Sequence, residues 1–307
     1  MTTLEMRPSP ETRSVNRLRK GLKTVLKYVP LVFLLFFFTF PLVFMIVSSF
    51  KTGNLQIFND LRSARAFLPV GELTLDNYRA VLENSNFPRY LMNSLGITAV
   101  TIILSLVVNS MAAYALSRLK WRGQKIILSI VIATLIIPGQ AVIMPMLLLV
   151  SRLPTITLEG GLALSQGWLD TYHVQIIPFL TSAFNIFLFY QFFQDIPKEL
   201  DEAALVDGAS RFQIFSRIIV PISGPVFASV AILTFIGSWN AFLWPIMTIQ
   251  SDELRPVMVG LQFFFQRDVQ WAEVLAYTTM ITLPVLAFFF AFQNAFVKSV
   301  ATTGLKG

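Results

Sequence analysis

The 307-residue chain is 55% hydrophobic and only 13% charged, with a net charge of +7 and a mean hydropathy of +0.66. A soluble domain carries roughly 25% charged residues, so about half the charge that keeps a domain in water is missing. With no cysteine the chain has neither disulfides nor thiol chemistry.

The charge deficit is organised. Six windows contain no Asp, Glu, Lys or Arg: 28–50, 90–117, 126–151, 171–194, 218–251 and 274–297, of 23, 28, 26, 24, 34 and 24 residues. A spanning helix needs about 20 apolar residues, because the hydrocarbon core is ~30 Å thick and a helix rises ~1.5 Å per residue. Each window therefore predicts one crossing, and even the longest is too short for two. Barrel strands would alternate, whereas residues 31–40 and 101–108 are continuously apolar. The expected fold is an all-α membrane protein with six transmembrane helices.

With the N terminus inside, the inner connecting segments hold 16 Lys and Arg and the outer ones 8. That asymmetry is the positive-inside rule, and it assigns the basic balance to a membrane rather than to a nucleic acid.

In chain order, residues 1–27 form a polar, basic cytoplasmic tail, expected to be disordered up to the charges at Arg13, Arg17, Arg19, Lys20, Lys23 and Lys27. The first span is too long for a signal-peptide core and no small-x-small site follows it, so it reads as retained. Residues 28–298 hold the six-helix domain and 299–307 a second cytoplasmic tail. "LTLDNYRAVLEN" in the outer segment 51–89 predicts a short amphipathic helix capped by Asp76. "SRLKWRGQK" is a tight basic turn on the inner side. "IIPGQAVIMP" interrupts the third span at Pro138, Gly139 and Pro145. The glycine-rich "LPTITLEGGLALSQGWLDTYH" predicts an outer loop or re-entrant cap, and "QSDELRPVMVGLQFFFQRDVQWAE" a further outer segment. No internal repeat is apparent.

Residues 195–221 are too elaborate for a simple connector. Asp195 and Pro197 signal a helix start, and Glu199, Asp201 and Glu202 suit the positive end of a helix dipole. Gly208 predicts a left-handed bend. "SRFQIFSRIIVP" then predicts a second helix running into the fifth span. Ala203 and Ala204 give the first helix a face of little bulk that would sit deep in a partner's groove. A helix lying on the bilayer is the other physical reading. It calls for a basic polar face, and here acids outnumber bases 5 to 3.

This stretch resembles the EAA motif of ABC-importer permease subunits, with Glu202, Ala203, Ala204, Gly208, Ile218 and Pro221 in register and Val220 in place of leucine. "LTLDNYRAVL", "YLMNSL", "AAYALSRLKWRGQK", "FIGSWNAFLWP" and "GLKG" are similar to the maltose-type carbohydrate branch. The likeness runs from about Lys51 to the C terminus, with residues 55–68 and 154–168 longer than usual. The resemblance implies a type I ABC-importer permease whose EAA loop is a coupling helix docked into a cytoplasmic ATPase dimer. A second homologous permease, an extracytoplasmic solute-binding protein, a carbohydrate substrate and the lipid bilayer complete the implied partners. The coupling residues it implies are Glu202, Ala203, Ala204, Asp207, Gly208 and Pro221.

The residues themselves agree that energy comes from outside the chain. No G-x-x-x-x-G-K-[ST] loop is present, and no series of ionisable residues crosses the spans as a proton-coupled carrier requires. No catalytic, cofactor or metal cluster is expected. A sugar pathway needs hydrogen-bonding groups beside aromatic faces, and the spans offer Asn93, Asn109, Gln140, Asn185, Trp239, Asn240 and Asn294. Trp239, Asn240, Gln140 and Asn109 are the pathway candidates, against a purely helix-gluing role. His173 reads as an interfacial residue, and the phenylalanine-rich runs as lipid-facing or packing. Import of another solute such as glycerol phosphate stays open, as does a self-sufficient channel or secondary carrier. A membrane enzyme is the weakest alternative.

Overall fold

The computed structural model describes residues 10–157, 163–265 and 269–304. The first nine residues of the basic tail and the last three of the C-terminal "GLKG" lie outside them. The chain divides into two compact units, residues 1–79 with 270–279, and residues 80–269 with 280–307.

In the first unit, α1 (Pro10–Ser49) is one helix containing Pro30 and Pro41. The sequence predicts disorder up to the basic run that begins at Arg13; the helix starts at Pro10, where a missing N–H costs nothing. Phe33, Phe36 and Phe38 on α1 are exposed. α2 (Gly53–Asp60) and a 3₁₀ turn (Ala64–Phe67) follow, organised around a buried cation. Lys51 Nζ donates to Asp60 Oδ2 and to the Arg65 carbonyl, both at 2.8 Å. α3 (Asp76–Asn84), whose first four residues belong to this unit and whose other five belong to the second, covers the predicted amphipathic segment. Asp76 is its first residue rather than its cap, and Thr74 Oγ1 accepts the Asp76 N–H at 3.0 Å.

The second unit is built on α4 (Phe87–Ser117), followed by α5 (Gln124–Thr134) and α6 (Gly139–Val150). A hairpin pairs β1 (Pro154–Thr157) antiparallel with β2 (Ala163–Gln166). This departs from the expected all-α chain with a loop here. β-Branched Thr155, Ile156 and Thr157 favour extended backbone, a signal that the flanking glycines obscure.

Next come α7 (Tyr172–Ile176), a 3₁₀ turn (Ile177–Phe179), α8 (Ala183–Asp195) and α9 (Glu199–Val206). α10 (Arg211–Ile214) and α11 (Val220–Ile222) are joined by a π-helical turn at Phe215–Ile219. The wider turn relieves the clash that the Pro221 ring would make with a carbonyl four residues back. α12 (Gly224–Trp239), α13 (Leu243–Thr248) and α14 (Val257–Gly260) precede α15 (Trp271–Gly304), which begins in the first unit and ends in the second.

Among the described residues three helices are each long and apolar enough to cross a membrane: Leu26–Ser49, Phe87–Ser117 and Trp271–Gln293. Three bent pairs meet the same condition as pairs: Gln124–Thr134 with Gly139–Val150 at 105°, Tyr172–Phe179 with Ala183–Asp195 at 40°, and Arg211–Ile222 with Gly224–Trp239 at 81°. The first bend falls at Pro138 and the last at Ser223, just before Gly224 and Pro225. At both, proline denies the helix a donor. The second helix expected of the linker, running into the fifth span, therefore meets α12 at an 81° bend.

α4, α8 and α12 pack together. Their core joins Ala113, Tyr114 and Leu116 to Phe189, Phe193, Ile214, Ile219 and Val230.

Candidate functional site

The linker 195–221 folds into an elbow made of two complementary signals. α9 stops in a Schellman arrangement, with the Ala209 N–H on the Ala204 carbonyl at 2.9 Å and the Gly208 N–H on the Leu205 carbonyl at 3.0 Å. Gly208 has φ of +81°, the left-handed conformation that glycine enters without penalty. A capping box then starts α10. Ser210 Oγ accepts the Gln213 N–H at 3.3 Å, and the Ser210 N–H donates to Gln213 Oε1 at 2.7 Å. Its S-x-x-Q spacing is a helix-start signal that helical periodicity alone does not register.

α9 has an inner and an outer face. Asp201 and Ala204 are buried, whereas Glu202, Ala203 and Asp207 are exposed and Val206 is 88% exposed. The two alanines therefore serve different purposes. Adjacent helical residues lie about 100° apart, so Ala204 lets α9 pack on its own bundle and only Ala203 faces outward.

What holds the inner face is Arg118, at the end of α4 in the basic turn. Its side chain is 2% exposed and its Nη1 lies 3.4 Å from Asp201 Oδ2. Nη2 donates to the Ile196 carbonyl at 2.6 Å. Tyr114 Oη donates to the Arg211 carbonyl at 3.1 Å, and Gln194 Nε2 to the Ser117 carbonyl at 3.2 Å. The α4 terminus thus touches the end of α8, α9 and α10. A cavity of about 650 Å³ opens beside this anchor, with Lys120, Lys125, Lys198 and Arg211 set against Asp201 and Glu202. In sequence Arg118 is one topology charge among four. Its partner lies 83 residues away, which no local spacing reveals.

The opposite end of the unit is fastened by the segment 250–257. Asp252 accepts from Tyr90 Oη at 2.6 Å, from Asn86, and from Arg255 Nη1 at 2.9 Å. Burial would raise the Asp252 pKa. The bonds from Tyr90 and Asn86 and the charge of Arg255 outweigh it and hold the carboxyl below the usual range. Asn93 Nδ2 donates to the Glu253 and Arg255 carbonyls at 2.7 and 3.0 Å. Asp170, in the left-handed region at φ of +57°, accepts from Ser251 N, Ser251 Oγ and Gln250 N, each at 2.9 Å. Burial acts to raise this carboxyl too, and the same three bonds bring it below its ordinary range.

Beneath this fastening lies a cavity of about 340 Å³ between α4, α7, α8, α12 and α13. Thr98, Gln175, Asn185, Thr234 and Ser238 supply polar walls, and Phe179 and Trp244 an aromatic one. The four pathway candidates do not line it. Asn109 is fully buried and its amide is engaged: Nδ2 donates to the Ser105 and Leu180 carbonyls at 2.6 and 2.9 Å, and Oδ1 accepts the Ser182 N–H at 2.9 Å. It ties α4 to the break before α8. Trp239, 2% exposed, stacks on Phe235 at 5.6 Å. Asn240 is exposed at the end of α12 and Gln140 exposed on α6, while Asn294 lies on α15. The exposed His173 ring lies 6.4 Å from Trp168. Among the described residues no cluster of three or more His, Cys, Asp or Glu could hold a metal ion.

Residues 105–302, which include α9, the elbow and the polar half of the cavity on α8 and α12, match the model of the binding-protein-dependent transport system inner membrane component. The chain belongs to that family. The permease is 30% identical over 295 residues to the trehalose/maltose transport system permease protein MalG of Thermococcus litoralis, covering 93% of this chain and 98% of that one. It is 33% identical over 268 residues to the probable starch degradation products transport system permease protein AmyC of Thermoanaerobacterium thermosulfurigenes, covering 87% and 91%. Its fold matches a chain of a bacterial ABC transporter involved in the import of the acidic polysaccharide alginate, at a TM-score of 0.68 and 22% identity, covering 94% of this chain and 99% of that one. Family membership and its apolar helices together make it a multi-pass inner-membrane protein.

Proposed function

We propose that this permease is the non-catalytic membrane subunit of an ATP-driven carbohydrate importer, crossing the membrane six times with both termini in the cytoplasm. The three bent pairs each count as one span in this reading, and the 16-to-8 basic asymmetry sets the orientation. Its relatives named for trehalose/maltose and starch products supply the substrate class.

The observation that carries the reading is the two-faced α9. An exposed Glu202, Ala203 and Val206 on a short helix outside the membrane is a surface built for a partner, held rigidly from behind by Asp201 and Ala204. In the proposal that partner is the cytoplasmic ATPase, and Asp207, Gly208 and Pro221 set the angle between the docked helix and α12. Closure of the ATPase pair then moves α9, and the Arg118–Asp201 contact passes the motion to α4. A second permease completes the pathway, and a solute-binding protein docks at the 250–257 end. Trp239 stays in the proposal as packing behind the pathway, with Asn240 and Gln140 on surfaces open to the second permease.

Gentle co-purification followed by mass spectrometry tests the assembly. The expected result is a second permease and an ATPase in the same complex, with saturable ATP hydrolysis by the complex and none by the isolated chain. A chain that purifies alone and still transports in proteoliposomes without ATP would replace this reading by a channel or secondary carrier.

A further inference from the structure

We propose that the 340 Å³ cavity between α4, α8 and α12 is a subsite of this chain for one uncharged sugar ring. The inference rests on the importer reading above and narrows its substrate class.

None of the described residues lining the cavity is charged. A phosphate or uronate entering it would lose its hydration and meet no counter-charge, which low-dielectric surroundings penalise heavily. A neutral polyol meets groups matched to its own, because hydroxyls and amides both donate and accept. The polar residues are also incompletely used. An asparagine side chain offers four hydrogen-bonding positions, and Asn185 spends one, from Nδ2 to Thr234 Oγ1 at 3.3 Å. Thr98 Oγ1 and Ser238 Oγ pair with one another at 3.1 Å, so each keeps capacity for a third hydroxyl. Thr101 is 2% exposed and its hydroxyl has no partner among the described residues. Buried polar groups are rarely left so, and a ligand hydroxyl or a water in the cavity would relieve it.

The apolar wall suits the same ligand. Trp244 is fixed by its Nε1–H on the Val174 carbonyl at 2.8 Å, and Phe179 meets it edge-on at 5.8 Å and 82°. A rigid aromatic corner facing amides and hydroxyls is what a ring with hydroxyls on its rim and C–H groups on its faces requires. The volume lies at the small end of ligand pockets, which run from about 300 to 1,000 Å³, so one ring is held rather than a chain. Gly237 lines the same space, and a Cβ added there meets no atom within 4 Å. The α12 surface is therefore open at that point, and a side chain there fills the cavity without displacing its walls.

The test uses the full complex with its binding protein and ATPase in proteoliposomes. The probes are a panel of neutral mono- to trisaccharides, with glycerol 3-phosphate and an alginate trisaccharide as anions. The expected result is uptake of a neutral probe, reduced at least tenfold by Gly237→Leu, with Asn185→Leu raising the half-saturating concentration and Thr101→Val doing so more weakly. Co-purification of the Gly237→Leu chain with its ATPase shows that it has folded. Uptake of anions only overturns the proposal, as does neutral uptake that Gly237→Leu and Asn185→Leu both leave unchanged; the importer reading survives either. A complex that couples no ATP hydrolysis to any solute overturns the importer reading, and the subsite with it.

Discussion

Replacing Gly208 by valine should lower substrate-stimulated ATP hydrolysis and uptake about 5- to 30-fold while leaving the amount of inserted protein unchanged. The residue sits at φ of +81° with nothing within 4 Å of where a Cβ would stand, so the effect is one of backbone conformation and not of crowding. An L-residue in the left-handed region costs roughly 1–2 kcal/mol, more when β-branched, and each 1.4 kcal/mol is a factor of about ten in an equilibrium. That energy opposes the elbow geometry in which α9 presents its outer face. Asparagine enters the left-handed region more readily, so Gly208→Asn should keep most of the coupling. Full stimulation by Gly208→Val would show that the linker is only a connector.

Arg118→Met should be the most destabilising single change at the same end. It leaves Asp201 buried with its charge uncompensated and the Ile196 carbonyl without its donor. Removing one member of a buried pair costs about 3–5 kcal/mol, whereas replacing both by apolar residues is often neutral. The single variant should aggregate at a markedly lower temperature in detergent and lose the ATPase on purification. Adding Asp201→Leu should recover much of the stability, the signature of two residues acting on each other. If Arg118→Met alone melts with the parent, the buried pair is not what anchors α9.

That the chain has helices apolar enough for a membrane is legible in the sequence because membrane burial acts on long stretches. A run of 23 or more residues without a charge is what a hydrocarbon core demands and what a water-facing helix rarely tolerates. The bend is legible because its determinant is local, a glycine after a helix. Features set by contacts distant in sequence are not. Nothing near Arg118 marks it as the basic residue of its turn that folds inward to Asp201. Asn109 and Asn185 look alike in an apolar run, yet the first is spent on Ser105, Leu180 and Ser182 and the second faces a cavity with capacity to spare. Trp239 stands out in the sequence as an aromatic beside an amide, but one helical step separates a buried side chain from an exposed one. The fold buries Trp239 against Phe235 and places Trp244 at the cavity.

In the proposal the outer face of α9 meets an ATPase inside the cell. Because the chain contains no cysteine, Ala203→Cys supplies a single thiol on that exposed face. A short bis-maleimide added to inner membranes carrying the co-expressed complex should join this chain to the ATPase, and Thr155→Cys in the same membranes should not. A thiol at 203 that is modified only by impermeant reagent outside sealed cells, or that never cross-links to the ATPase, would contradict the account.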